Sequence, residues 1–185
     1  MTDSLPASFF ARPTVEVARA LLGQNLVRRR LDGSLSLHQI VEVEAYTQDD
    51  PASHAYRGPS KRSAIMFGPP GHAYVYFIYG MYHCLNAVTE LDGVAGAVLI
   101  RAVKGKNLDG PGKLCRELDI DLSHNGLALF DAKSPLYIAP GEAAAESDIL
   151  ATARIGISKA QDRLWRYIVK SDANARQIRA DKRSR

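Results

Sequence analysis

Short stretches in which apolar and polar residues alternate recur along the chain, and they predict β-strands. One hairpin is predicted from strands at 26–30 and 34–46, joined through an Asp-Gly pair that favours a tight turn. The second strand carries apolar residues on one face and Glu42, Glu44 and Tyr46 on the other. We expect that polar face either to meet solvent or to line a cleft.

A second hairpin is predicted over residues 71–89, where a tyrosine-rich apolar run is interrupted at Gly80-Met81. Tyr74 and Tyr76 lie two residues apart and therefore share one face of the first strand. Tyrosine suits half-buried strands, which accounts for these residues by packing alone. The alternative interpretation is a surface that stacks on nucleobases or separates them.

The rest of the chain supplies few helices and several more short strands. Together with the two hairpins, these segments predict a single α+β domain over residues 1–172, built on a curved, largely antiparallel sheet of open-barrel or roll-like form. A few helices flank this sheet, and the second hairpin protrudes from it. The predicted helices cover 13–22 and 111–118, the further strands cover 96–103, 136–139, 151–157 and 164–169, and a long irregular loop covers 47–70.

Composition restricts the class of protein. A chain of 185 residues with 46% hydrophobic content can bury one substantial core. No apolar run approaches the roughly 20 residues that cross a bilayer, and the first residues lack the order of a signal peptide. We therefore expect no membrane association and a location in the cytoplasm, with the nucleoid in a bacterium, or in the nucleus of a eukaryote. Cys84 and Cys115 are far apart in apolar surroundings, so we expect buried thiols.

The net charge of +4 is unevenly distributed. Residues 173–185 hold five basic residues and one acidic residue, whereas the preceding residues carry equal numbers of both kinds. We expect this segment to be a flexible basic tail, which either contacts DNA or only keeps the protein in solution. Residues 53–118 also carry a basic excess around the tyrosine hairpin, where phosphate contacts would be useful.

Candidate chemistry centres on Glu44. A carboxylate next to Tyr46 and a loop that carries His54 would lose part of its hydration, which suits it to activate water. Metal ligation is a weaker hypothesis, because the candidate ligands lack HxxxH or CxxC spacing, and we expect neither a metal nor a cofactor. Those candidate ligands are Glu42, Glu44, His54, His72, His83 and Cys84.

An ordered set of segments between about residues 9 and 169 resembles the alkyladenine, or methylpurine-DNA, glycosylase family. The segments are IVEVEAY at 40–46, SHAYRG at 53–58, MFGPPGHAYVYFIYGMYHCLN at 66–86, AVLIRA at 97–102, GPGKLC at 110–115 and ARIGI at 153–157. The resemblance implies a DNA glycosylase of base excision repair that binds double-stranded DNA as a monomer. It would flip out damaged purines, including 3-methyladenine and 7-methylguanine, and hydrolyse their N-glycosidic bond. Hypoxanthine and ethenoadenine are further candidate substrates.

The resemblance also implies roles for individual residues. Glu44 would be the general base, holding a water together with Arg101 and the backbone carbonyl of Ile155. Around the base, the implied pocket comprises the stacking rings Tyr46 and Tyr76, the donor His54, and Asn86, which excludes the amino group of normal guanine. Tyr79, with Met81, would enter the duplex, and the candidate contacts to the DNA backbone are Arg57, Lys61, Arg62 and Lys113.

Two departures from the family pattern bear on these roles. The segment between Arg101 and Gly110 is shorter than in animal members, and Ser63 stands where asparagine is frequent. No lysine matches a nucleophile, so the resemblance implies a monofunctional enzyme. The alternatives at this point are a nucleic-acid-binding module without catalysis, a metal-dependent hydrolase, and a formyltransferase-like sheet domain that contacts RNA.

Overall fold

The computed structural model describes residues 3–172 and confirms the predicted α+β fold, a single domain on a curled, entirely antiparallel sheet. Six strands follow the order β3-β4-β5-β2-β1-β6, and β8 joins β2 to β7. The predicted tail at 173–185 lies outside the described residues. The strands are β1 Asn25–Arg29, β2 Leu35–Thr47, β3 Ala73–Ile78, β4 Tyr82–Val88, β5 Gly96–Val103, β6 Leu136–Ala139, β7 Ile149–Thr152 and β8 Arg166–Val169; the α-helices are α1 Ala7–Phe10, α2 Thr14–Leu21 and α3 Pro111–Glu117.

Strand β2 organises the sheet because it pairs with three other strands along its length. Its first half pairs with β1, and its second half lies between β5 and β8. The register with β5 shifts on both sides of Glu42, and such bulges bend a strand and increase its twist. This bend lets one long strand belong to both halves of a curved sheet.

The main core lies between one face of the sheet and helix α2. The apolar side of α2 buries Val17, Ala18 and Leu21, in keeping with the predicted amphipathic helix. At its N-terminus, the Glu90 carboxylate accepts hydrogen bonds from the amide and the hydroxyl of Thr14, both at 2.6 Å. An acidic group at this position also interacts favourably with the helix dipole.

The long loop between β2 and β3 packs closely against the sheet. Its 3₁₀ helix, Ala64–Phe67, buries Met66 in a second apolar cluster with Ala55 and Tyr74. This packing gives the tyrosine hairpin a rigid base, although most of the loop has no regular structure. Within residues 3–172, no helix has both the length and the apolar character that a membrane crossing requires.

The strand predicted at 151–157 is wrong beyond Thr152, where β7 ends. The next residues leave the sheet, since the Arg154 side chain turns into the interior and the Ile155 amide donates to Glu44 instead of to a neighbouring strand. The strand predicted at 164–169 likewise begins later, at Arg166. Both segments line or support the cavity described next.

Candidate active site

A cavity of about 450 Å³ opens between the β3–β4 hairpin, β2, β5 and the start of α3. This volume lies within the range of pockets that bind small molecules. Tyr46 and Tyr76 lie in its wall together with the Glu44 side chain, so two of the three residues on the polar face predicted for β2 line a cleft. Further lining residues used below are His54, Tyr74, Tyr79, Cys84, Asn86, Arg101, Lys113 and Ile155.

Glu44 is fully buried at the cavity wall, and three donors hold its carboxylate. Oε1 accepts from the Ile155 amide at 2.8 Å and lies 3.3 Å from the guanidinium of Arg101, while Oε2 accepts from the Tyr46 hydroxyl at 2.7 Å. An ionised carboxylate offers about four acceptor positions, so one position on Oε2 stays available for a further donor.

A second buried acid fixes the position of Arg101. Arg101 Nε donates to Glu42 at 2.9 Å, and Arg166 donates to the same oxygen from β8 at 2.7 Å. These two guanidinium groups compensate a carboxylate that is only 2% exposed. Glu42 therefore holds Arg101 from outside the cavity. It is buried, although the alternating pattern of the strand would also allow it to face solvent.

The two tyrosine rings in the cavity wall stay protonated at neutral pH. Burial raises the pKa of Tyr46, and the adjacent Glu44 charge raises it further. Burial also raises the pKa of Tyr76, with a smaller contribution from Cys84. Both phenols therefore keep a hydroxyl donor, and both rings offer an uncharged aromatic face.

His54 lies at the exposed mouth of the cavity, edge-on to Tyr76 with ring centroids 4.8 Å apart. Burial against its neighbours lowers the pKa of His54, as does the Arg62 charge, so the ring is neutral at physiological pH. Its Nδ1 lies 2.9 Å from the hydroxyl of Tyr74, whose pKa burial raises to about 12. If that protonated phenol donates to Nδ1, then Nε2 carries the ring proton and can donate to a ligand.

Asn86 is buried where β3 and β4 pair, and its amide nitrogen donates to the Tyr74 carbonyl at 2.9 Å. This bond fixes the amide plane, so the side chain occupies a set part of the cavity wall. Nearby, α3 approaches β4 closely. A side chain at Gly112 would come within 2.8 Å of the Tyr82 ring, so the absence of one lets the helix form part of the wall.

The hairpin tip projects its side chains into solvent. Tyr79 is 79% exposed and Met81 is 66% exposed. Tyr79 and Gly80 both have positive φ angles, of 55° and 69°, as in the tight turns that match the twist of a hairpin. For a bulky residue this conformation is strained, and such strain concentrates at functional positions.

A profile of the methylpurine-DNA glycosylase family matches residues 8–173. The chain belongs to the methylpurine-DNA glycosylase family. A relative from Carboxydothermus hydrogenoformans, named as a candidate 3-methyladenine DNA glycosylase, is 49% identical, with 91% of this chain and 96% of the relative aligned. Relatives with the same name from Trichodesmium erythraeum and from a Wolbachia of Brugia malayi are 43% and 47% identical, over 90% and 89% of this chain and 94% and 96% of theirs.

This glycosylase therefore acts on DNA, and its basic candidates can be placed on the structure. Arg57, Lys61 and Arg62 are exposed on the loop between β2 and β3, and Lys113 lies at the cavity rim. The Arg62 guanidinium stacks on Tyr76, 4.5 Å from the ring centroid. Their contacts with DNA stay predictions.

Sequence reasoning missed several residues that support the glycosylase cavity. Tyr74 was predicted on one face of the hairpin, but its contact with His54 was not predicted. Asp50 and Arg154 were not considered at all. Arg154 lies within the family-like ARIGI segment, and that is the signal that could have drawn attention to it. Among residues 3–172, no three His, Cys, Asp or Glu side chains are grouped so as to hold a metal ion.

Replacing Tyr79 by Asn is expected to raise the free energy of unfolding by about 1 kcal/mol, because asparagine tolerates the left-handed conformation better than tyrosine. The same change should weaken binding to lesion-containing DNA. Urea denaturation and a fluorescence-anisotropy titration measure the two effects. Met81→Asn, at the same tip without a positive φ, is the control, and a less stable Tyr79→Asn variant would contradict the strain argument.

The lowered pKa of His54 predicts that the acidic inflection in the release of a cationic purine falls below pH 6.5, the ordinary pKa of histidine. As the pH falls through this lowered pKa, His54 is protonated and places a positive charge beside the base. The same protonation lowers the free energy of unfolding, which His54 does not reduce at higher pH. A pH–rate profile tests this expectation, with His54→Gln expected to lack that acidic inflection and His83→Gln to retain it. An inflection from His54 above pH 6.5 would be incompatible with the prediction.

Proposed function

We propose that this methylpurine-DNA glycosylase flips a damaged purine nucleotide out of the duplex into the cavity and hydrolyses its N-glycosidic bond. 3-Methyladenine and 7-methylguanine are the proposed substrates, with hypoxanthine and 1,N6-ethenoadenine as further candidates. The single observation that carries the proposal is the Glu44 carboxylate in a cavity whose wall contains two tyrosine rings. The relatives come from bacteria, so the proposed setting is bacterial base excision repair by a monomeric enzyme.

The exposed hairpin tip supports the flipping step. Extruding a nucleotide costs a few kcal/mol, and less where damage has weakened its pairing. Stacking on an aromatic side chain returns about 1–3 kcal/mol per base. Tyr46 and Tyr76 would stack on the extruded base, while Tyr79 and Met81 would fill the space that it leaves in the duplex. These gains are large enough to offset the cost.

The chemistry of the cavity wall supports selection of alkylated purines. A purine alkylated at a ring nitrogen carries positive charge, which an aromatic face attracts and which makes the base a good leaving group. His54 would donate to the edge of the base. The fixed side chain of Asn86 would crowd the exocyclic amino group of any guanine. 7-Methylguanine keeps that group, so we expect its release to depend on its positive charge, which makes it a better leaving group than normal guanine.

The Glu44 environment supports hydrolysis by an activated water. The open acceptor position on Oε2 would receive a proton from water as that water attacks the sugar carbon, and general-base assistance is worth typically about 10²- to 10⁴-fold. The carboxylate would also stabilise positive charge that develops on the sugar. The Ile155 amide and Arg101 hold the carboxylate in place, and the proposed contact of the Ile155 carbonyl with the same water stays a prediction.

The decisive experiment measures free base released from duplexes that each contain one lesion, either 7-methylguanine, hypoxanthine or 1,N6-ethenoadenine. We expect release of 7-methylguanine by the wild-type protein, and of undamaged guanine only by Asn86→Ala. A protein that binds these duplexes but releases no base would be a non-catalytic binding module. Release that disappears on thorough chelation would instead indicate a metal-dependent hydrolase.

The enzyme is also proposed to be monofunctional. Lys113 is the lysine in the cavity wall, and its Nζ donates to Asp109 at 3.0 Å, an ion pair that would have to break before the amine could attack the sugar. Borohydride should therefore trap no covalent complex with lesion-containing DNA. A trapped complex that Lys113→Gln abolishes would show that the enzyme is also a lyase.

A further inference from the structure

A buried ion pair lies directly behind the base-stacking ring Tyr46. Asp50 and Arg154 have no solvent-exposed side-chain surface, and both nitrogens at the end of the guanidinium contact the two carboxylate oxygens. The pair connects the start of the loop after β2 with the segment after β7. Residues 104 positions apart in sequence are thereby held together next to the cavity.

The contacts of Arg154 extend from this pair to Tyr46 and Glu44. Its guanidinium carbon lies 4.7 Å from the Tyr46 ring centroid, and its Nη1 donates to the Ala45 carbonyl at 2.9 Å. The next residue, Ile155, supplies the amide that holds Glu44. Trp165 covers the guanidinium with its ring centroid 5.4 Å away. A single side chain therefore positions the ring and the backbone segment that together hold the general base.

The position of the pair also matters for charge. Tyr46 lies in the cavity wall and Arg154 lies behind it, so a base stacked on the open face of the ring would sit roughly 8 Å from the guanidinium carbon. Asp50 neutralises the guanidinium at contact distance, and the pair presents little net charge to the cavity. An arginine does not lose its proton inside a protein, so without Asp50 a full positive charge would stand behind the slot.

On the basis of the proposed function, we propose that the Asp50–Arg154 pair is a positioning and specificity unit. It fixes Tyr46 and the segment at Ile155, and its neutrality keeps the slot receptive to positively charged purines. An uncompensated cation buried behind Tyr46 would reduce the preference of the slot for a cationic base. The Arg62 guanidinium over Tyr76 is exposed, so solvent screens its charge, whereas no solvent reaches the Arg154 side chain. The pair thus contributes to selection of alkylated purines from outside the cavity.

The test compares Asp50→Asn with Asp49→Asn. Asp49 is the adjacent acid, and it pairs with Arg163 in solvent at 3.3 Å instead of with Arg154. Two readouts are needed, namely the single-turnover release of cationic 7-methylguanine and the fluorescence change as neutral 1,N6-ethenoadenine enters the slot. Entry of the neutral base reports stacking before charge develops in the reaction.

We expect Asp50→Asn to slow 7-methylguanine release about tenfold, from the unscreened charge at this distance, and to change ethenoadenine capture by less than about threefold. Asp49→Asn should change neither readout. An equal loss in both readouts would reduce the pair to a purely structural role, and no loss in a folded Asp50→Asn variant would also overturn the proposal. Failure of the wild-type protein to release 7-methylguanine would instead refute the proposed function.

A second variant keeps the proposal testable if Asp50→Asn does not fold. Asp50→Leu combined with Arg154→Met removes both charges, and well-packed apolar replacements of buried pairs often preserve stability. In this double variant, the ratio of 7-methylguanine release to ethenoadenine capture should stay within about threefold of the wild-type ratio. Both readouts should fall, because Tyr46 is held less firmly. A selective, roughly tenfold loss of 7-methylguanine release in a variant with no uncompensated charge would overturn the proposal.

Discussion

Glu44→Gln should release 7-methylguanine at least about 10²-fold more slowly than the wild-type protein while still binding lesion-containing DNA. The amide keeps the size of the side chain and can still accept from the Ile155 amide, but it cannot take a proton from water. Single-turnover assays at saturating enzyme separate this loss of chemistry from any loss of binding.

Glu42→Gln is the matched control for this experiment. It removes a carboxylate of similar burial two residues away on the same strand, outside the cavity wall. Because Glu42 lies outside the cavity wall and contacts the site through Arg101, we expect Glu42→Gln to lose less than about tenfold of the rate. Equal losses in the two variants would mean that Glu44 contributes through local structure and not as a base.

Arg101→Met should lower the free energy of unfolding by about 3–5 kcal/mol, because it removes a cation that contacts two buried carboxylates. Arg166 still compensates Glu42 in this variant, whereas Glu44 keeps only its two neutral donors. We therefore expect the loss of stability to arise mainly from the cavity wall around Glu44. Base release should be abolished in the same variant.

Chemical denaturation measures this effect, with Arg116→Met as the control. Arg116 pairs with Glu117 in solvent, where an ion pair contributes no more than about 1 kcal/mol. A change in Arg101→Met as small as that of the control would show that the charges at Glu42 and Glu44 are compensated by other groups.

The local part of the fold could be predicted from the sequence. Alternation with a period of two placed Glu44 and Tyr46 on one face of β2, and the structure places both in the cavity wall. The tyrosine hairpin and the short helix before Gly23 follow from equally local signals, namely an interrupted apolar run and an amphipathic pattern. Such signals need no knowledge of which segments meet in space.

The remaining features depend on partners that are distant in sequence. Alternation could not decide whether Glu42 faces solvent, because its burial depends on Arg166, 124 positions later. The apolar run at 151–157 reads as one strand, yet Arg154 leaves the sheet to reach Asp50. In both cases a long-range ion pair overrides the local pattern. Most roles of the site residues came from family resemblance. The sequence pattern alone indicated a carboxylate at Glu44 suited to activate water and a tyrosine face suited to stacking.

The central claim is that a damaged purine is bound between Tyr46 and Tyr76, next to the Glu44 carboxylate. A crystal structure of Glu44→Gln bound to a duplex with one 1,N6-ethenoadenine tests it most directly. The predicted result is an extruded base between the two rings, with residue 44 beside its sugar and Tyr79 in the vacated space. A base that stays stacked in the duplex, or one bound outside this cavity, would contradict the account.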